Sequence, residues 1–325
     1  MKLMTLAATA LLFTSLMTGA AFGATIEKPE CIAPKAPGGG FNLTCRIAML
    51  GLKDQFPSLM QVTYMPPGGG AAAINLFNSK YSIRTEDPNA IVAFSSGSLL
   101  SIATGKYGKW TENDVRWLAS AGADFGAVIV RDDSRFKNLE DLMVEIKKGE
   151  NNVIIGAGGS VDSQDWMKAA LLIKSINKDP RKMRYVAYDD GGDAIAGLLG
   201  GSIEVYMGDV GEMASRLDGS LRILAVMATE RLPEPFAEYP TAKELGYDAE
   251  WTIMRGYYMG KNVSDKAYKA WVGAFKAAYG TEEFAKIQKE NGLLPLNMAG
   301  KEFDADVKKR VERMRGIAKE VGLIK

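Results

Sequence analysis

Five junctions hold the residues of this sequence best suited to chemistry: Pro37-Gly38-Gly39-Gly40-Phe41-Asn42, Pro66-Pro67-Gly68-Gly69-Gly70, Phe94-Ser95-Ser96-Gly97-Ser98, Gly156-Ala157-Gly158-Gly159-Ser160 and Asp189-Asp190-Gly191-Gly192-Asp193. Each stands where a strand pattern gives way to a helix pattern. Glycine lets the backbone approach a ligand closely, and the following helix presents unpaired N–H groups and the positive end of its dipole. Such a loop holds a carboxylate or phosphate without a cationic side chain. Ser95 and Ser96 add hydroxyls at the same kind of edge, the carboxyl end of a strand, where open α/β sheets bind ligands. A single glycine pair is equally explained by a turn that binds nothing; recurrence in both halves of the chain is what marks a site.

Asp189, Asp190, Asp193, Glu204 and Asp209 offer carboxylates for acid–base work or for calcium, but their spacing fits no twelve-residue calcium loop. Helix caps and solvated faces account for most of them. Asp190, with its neighbour Gly191, and Asp209 follow strand ends and stay as site candidates, and Trp251 and Arg255 are placed near the cleft.

Histidine is absent from all 325 residues, which removes Ser-His-Asp and Cys-His nucleophile systems, His-ligated metals and imidazole catalysis. No nucleophile elbow or metal cluster replaces them. The expectation is a binding protein with no catalytic residue, metal or other cofactor; the competing readings are an exported carboxylate-processing enzyme built on an Asp or Glu pair, and a sensory binding protein. Val161 breaks the dinucleotide fingerprint and Leu100 breaks the phosphate-loop motif, so no nucleotide is expected. Forty Lys+Arg balance 39 Asp+Glu, with no basic run interleaved with aromatics, so no nucleic acid is expected either.

The elements that position these loops begin after residues 1–24, which read as a secretory signal peptide: Lys2, an apolar run to Met17, then Ala21-Phe22-Gly23 as a cleavage pattern. Its removal leaves 39 Lys+Arg against 39 Asp+Glu. In an exported chain the lone pair Cys31 and Cys45 is expected to form a disulfide. Beyond residue 31, short apolar runs alternate with amphipathic stretches, the mark of an α/β fold with largely parallel sheets. The expected strands include 31–34, 61–64, 90–94, 127–130, 153–155, 183–188, 203–207 and 222–228. The expected helices include 41–53, 139–148, 164–176, 194–199, 212–217 and 264–279, a capping-box helix from Thr111 to Leu118, and a short helix within 238–245. Phe303, Val307, Val311, Met314, Ile317 and Val321 recur at helical spacing. Because the C-terminal part adds no strand, its helices are expected to pack on the first sheet. The chain then crosses twice, near Gly126–Arg131 and Arg255–Gly260, giving two lobes and a hinge: residues 25–128 with 256–325, and residues 129–255.

The stretch from Cys31 to Cys45, together with Val92 to Leu100, Gly158 to Trp166, Leu198-Leu199-Gly200-Gly201 and Arg255 to Gly260, resembles the solute-binding receptors of tripartite tricarboxylate transporters. The likeness spans the mature chain in order. It implies a monomeric periplasmic binding protein of type II, closing two α/β lobes on a small organic carboxylate, a tricarboxylate such as citrate first, with a dicarboxylate or aromatic diacid as the alternative ligand. It further implies delivery to large and small membrane permease subunits driven by an ion gradient. Carried over, the ligand contacts fall on Gly38, Gly39, Gly40, Phe41 and Asn42, then on Ser160, Val161, Asp162 and Ser163. Asn42 replaces the family's usual Asp, and Asp162 and Asp190 stand where glycine is expected. Those extra charges either point away or signal a ligand less anionic than citrate.

Overall fold

The computed structural model describes residues 26–35, 40–65, 69–78, 84–189, 191–213, 216 and 219–324. The expected signal segment, Gly38, Gly39 and Asp190 lie outside these residues. Nine strands among the described residues form a mixed sheet in the order β2-β1-β3-β9-β4-β7-β5-β6, with β8 paired to β4. β1 (Glu30–Ala33), β2 (Gln61–Tyr64) and β3 (Ala90–Ser95) run parallel, and so do β5 (Ile154–Gly158), β6 (Arg184–Tyr188) and β7 (Val205–Asp209). β3 is buried along its whole length, as a run of apolar residues in a sheet covered on both faces must be.

Helices follow these strands: α1 (Gly40–Gly51), α2 (Gly69–Asn78), α3 (Ser96–Ala103), α5 (Gln164–Lys174), α6 (Gly191–Leu199) and the four-residue α7 (Val210–Met213). α4 (Leu139–Lys148) shows how local sequence sets such an element. Asn138 caps it by accepting from Asp141 N, acids occupy its first turn and lysines its last, and Leu139, Leu142, Met143 and Ile146 bury one face.

The two groups of strands are joined by β4 (Val115–Arg131), a 17-residue strand. Val115 to Phe125 pair antiparallel with β9 (Thr252–Gly260); from Gly126 onward the partners are β7 and β8 (Leu221–Val226). The capping-box helix expected at Thr111 does not form. Asp114 instead accepts from Thr111 N and Oγ1, closing a turn, and Val115, Trp117 and Leu118 enter the ladder. Pairing with β9 and the contacts of Trp117, 4.7 Å from the Phe94 ring and 5.7 Å from Tyr258, outweigh the local cap. The outward crossing falls at Phe125/Gly126. The return falls at Trp251, which bonds Met227 O and Gly126 N, just before β9. The lobe boundaries expected after residues 128 and 255 therefore lie inside β4 and β9. Residues 238–245 form turns in place of the expected short helix: Thr241 and Glu244 satisfy each other's backbone N–H groups, and the single i to i+4 bond from Leu245 N to Thr241 O is not continued as a helix.

α8 (Asp265–Tyr279) and α9 (Glu282–Glu290) put Trp271, Phe275 and Phe284 into one core with Leu118 and Tyr257; α10 (Lys301–Glu320) puts Phe303, Val307 and Val311 into the other with Phe94 and Trp117. The C-terminal helices thus cover the first group of strands on both faces. Cys31 in β1 and Cys45 in α1 are disulfide-bonded with Cα atoms 5.5 Å apart, inside the range a bridge requires.

Candidate functional site

The carboxyl ends of both parallel strand groups face each other, and the starts of α1, α3, α5 and α6 meet there. Several contacts among the described residues span the gap. Lys35 Nζ donates to Asp189 O at 2.7 Å, Lys106 pairs with Asp162, and the side chain of Gln164 at the start of α5 faces Gly97 at the start of α3. Arg255 on β9 reaches Asp209 at the end of β7.

The described site candidates take distinct positions around this gap. Gly40, Phe41 and Asn42 open α1; Phe41 packs toward the core, and Asn42 Nδ2 donates to Tyr64 Oη at 2.6 Å. Ser95 ends β3, while the buried Ser96 hydroxyl is committed to β9, accepting from Met254 N and donating to Thr252 O. Ser160 and Val161 are exposed, and Val161, at 54 %, is an uncovered apolar side chain beside the gap. Ser163 caps α5, accepting from Trp166 N. Asp162 has φ +72°, the left-handed region that favours the glycine expected there, and its carboxylate is turned to Lys106. Gly191 opens α6.

Beneath these helix starts lies a buried charge network. Arg255 Nη2 donates to Asp124 Oδ2 at 3.0 Å and to Asp209 Oδ2 at 3.1 Å. Lys168 Nζ, fully buried, donates to Asp209 Oδ1 and Gly208 O at 2.7 Å each. It also lies 2.8 Å from Asp165 Oδ1, an ion pair by distance whose angle makes no hydrogen bond. Asp124 Oδ1 accepts from Gly211 N, and Glu212 accepts from Tyr206 Oη and Asp209 N. Four acids thus surround two cations. Burial raises the Asp124 carboxyl above its usual range, with Arg255 opposing. Burial also lifts Asp165 to about 6, against the pull of Lys168, and lifts Glu212 to about 7, with the neighbouring Asp209 charge adding to it. Lys168 and Arg255 are held above their ordinary values: burial acts against their charges, and the surrounding carboxylates overcome it.

Two of the glycines explain themselves against this network. A Cβ on Gly40 would overlap Arg255 Nη1, and one on Gly191 would lie 2.5 Å from Glu212 Oε1 and 2.6 Å from Tyr206 Oη. Asp124, Asp165, Lys168 and Glu212 were not site candidates from the sequence. The available signal was charge inside apolar runs: Lys168 amid Trp166-Met167 and Ala169-Ala170-Leu171-Leu172, and Asp124 amid Ala121-Gly122-Ala123 and Phe125-Gly126-Ala127. Trp251 and Arg255 are both buried, and Trp251 Nε1 has no acceptor among the described residues. An apolar crevice lined by Phe125, Val210, Leu232, Phe236, Leu293 and Leu294 contains none of the site candidates.

The mixed α/β fold with helix starts converging between two strand groups is that of a periplasmic solute-binding protein. Residues 110–323 match the tripartite tricarboxylate transporter family receptor, more than half of the chain, and the protein belongs to that family. Its structure is similar to a TctC solute-binding protein from Polaromonas (22% identity, TM-score 0.68, covering 90% of this chain and 98% of that one). It is also similar to MatC from Rhodopseudomonas palustris with bound malate (16%, TM-score 0.73, 90% and 99%). A third similar structure is R. palustris Rpa4515 with adipate (15%, TM-score 0.78, 91% and 97%). No curated protein sequence matches the chain.

Proposed function

We propose that this protein is a periplasmic receptor that closes two lobes, one around each group of parallel strands, on a small carboxylate. It delivers the ligand unchanged to the large and small membrane subunits of an ion-gradient-driven permease. The observation that carries this reading is the convergence of α1, α3, α5 and α6 starts across one gap, which offers backbone N–H groups from both sides to an anion. The ligand-binding residues are then Gly38, Gly39, Gly40, Phe41 and Asn42 on one side and Ser160, Val161, Asp162, Ser163, Asp190 and Gly191 on the other, with Ser95 at a strand end; Ser96 and Asp209, whose side chains bond β9, Lys168 and Arg255, support the site from beneath. The sequence places a tricarboxylate such as citrate first. The surplus of buried acids beneath the gap instead favours a dicarboxylate, the class to which the malate and adipate of the related structures belong.

A thermal-shift screen of malate, succinate, adipate, citrate and cis-aconitate tests the reading. A ligand at 100 times its dissociation constant stabilises the folded state by about 2.7 kcal/mol. The expected hit is a dicarboxylate, recovered chemically unchanged, with a fall in radius of gyration on binding. Silence across the panel, or conversion of the acid, refutes the receptor reading.

A further inference from the structure

Resting on the receptor reading, we infer that Arg255 is the side chain that meets the ligand carboxylate. A guanidinium carries five N–H donors in a fixed plane, and here the Asp124 and Asp209 carboxylates both bond the same nitrogen, Nη2. Nε is buried with no acceptor, in a side chain only 5% exposed. Nη1 bonds no acceptor among the described residues and lies against Gly40, the first residue of α1, where a Cβ would overlap it. An unmet donor on a buried cation is costly. A purely structural guanidinium, placed only to neutralise two aspartates, has no reason to leave two of its three nitrogens unused beside a helix start whose own N–H groups lack intrahelical partners.

The two aspartates fix the plane of the fork and hold it in place. They also offset its charge, so an acid arriving at α1 is recognised by directed hydrogen bonds more than by a positive field. That combination selects an ionised carboxylate on a ligand of low total charge. The same arrangement explains why residue 40 is glycine: a larger residue would displace the guanidinium from the start of the helix.

The test uses the full exported chain labelled with ¹⁵N-arginine, and malate and adipate as probes. Arg255→Lys keeps a positive charge between Asp124 and Asp209 but cannot present the fork. It also identifies the Arg255 side-chain resonances by their loss. The expected result is that the better of the two acids moves the wild-type Arg255 resonances, and that Arg255→Lys weakens its binding at least tenfold. Should that variant not fold, Gly40→Ala, which leaves every charge in place, is expected to weaken binding at least tenfold. Unmoved Arg255 resonances at saturation, or a folded variant that binds within threefold of wild type, overturns the inference while leaving the receptor standing. Failure of the wild-type protein to bind either acid removes the dicarboxylate reading and the inference with it.

Discussion

Glu212 gives the sharpest test of the buried network. Its carboxyl sits under Gly191, accepts from Tyr206 Oη and Asp209 N, and has its pKa lifted to about 7 from 4.5, first by burial and then by the Asp209 charge. The folded state therefore binds a proton that the unfolded chain has already released between pH 4.5 and 7. The stability that Glu212 contributes is fullest below pH 4.5 and falls as pH rises through that window. At about 1.4 kcal/mol per pH unit, this difference amounts to about 3 kcal/mol of stability lost from Glu212 alone. Asp165, lifted to about 6 by burial, adds a loss of the same sign at lower pH. Glu212→Gln removes the ionisation and keeps a carbonyl oxygen for Tyr206 and the Asp209 amide. Urea unfolding followed by circular dichroism should find the variant close to wild type at pH 5 and more stable by about 3 kcal/mol at pH 8. Parallel pH profiles for the two proteins would show that Glu212 is solvated and ionised in the folded state, and would refute the reasoning.

Lys168→Met leaves Asp165 and Asp209 with a buried partner removed, and should cost about 3 to 5 kcal/mol in urea unfolding at pH 7.5; partial recovery of that loss on lowering the pH to 5.5 would follow from protonation of Asp165, whose carboxyl burial already lifts to about 6. Asp162→Gly relieves about 1 kcal/mol of left-handed backbone cost and gives up an exposed ion pair of at most about the same size. Its stability should therefore stay within about 1 kcal/mol of wild type. Stopped-flow measurement of ligand release should nevertheless be faster, because the Lys106 strap across the gap is gone, and high salt should reproduce the effect in the wild-type protein.

Much of the architecture could be read from apolar runs and junctions. The strands at 61–64 and 90–94, the α4 stripe from Leu139 to Ile146, and the packing of the last helices on the first strand group all follow from local pattern; the strand expected at 203–207 lies two residues later, at Val205–Asp209. The failure at Thr111 to Leu118 has a physical reason: a cap signal is worth about one kcal/mol, while pairing along the whole of β9 with Trp117 buried against Phe94 is worth more. At the site, the glycine loops were legible as places where something approaches the backbone. What approaches Gly40 and Gly191 was not, because Arg255, Glu212 and Tyr206 lie far away in the chain and reach those glycines only once β4, β7 and β9 are side by side.

The passage of β4 through both strand groups bears on how the molecule can come apart. A linker can be cut or lengthened without disturbing the units it joins, but a cut beside Gly126 would sever a strand that is hydrogen-bonded to β9 on one side of the cut and to β7 and β8 on the other. Neither half is then a self-sufficient module: each would carry away a frayed edge strand and one part of the Asp124–Arg255–Asp209 set. Modularity is exchanged for cooperativity, so denaturation should proceed as a single transition by every probe. Fragments expressed separately on either side of residue 126 should acquire structure only when mixed.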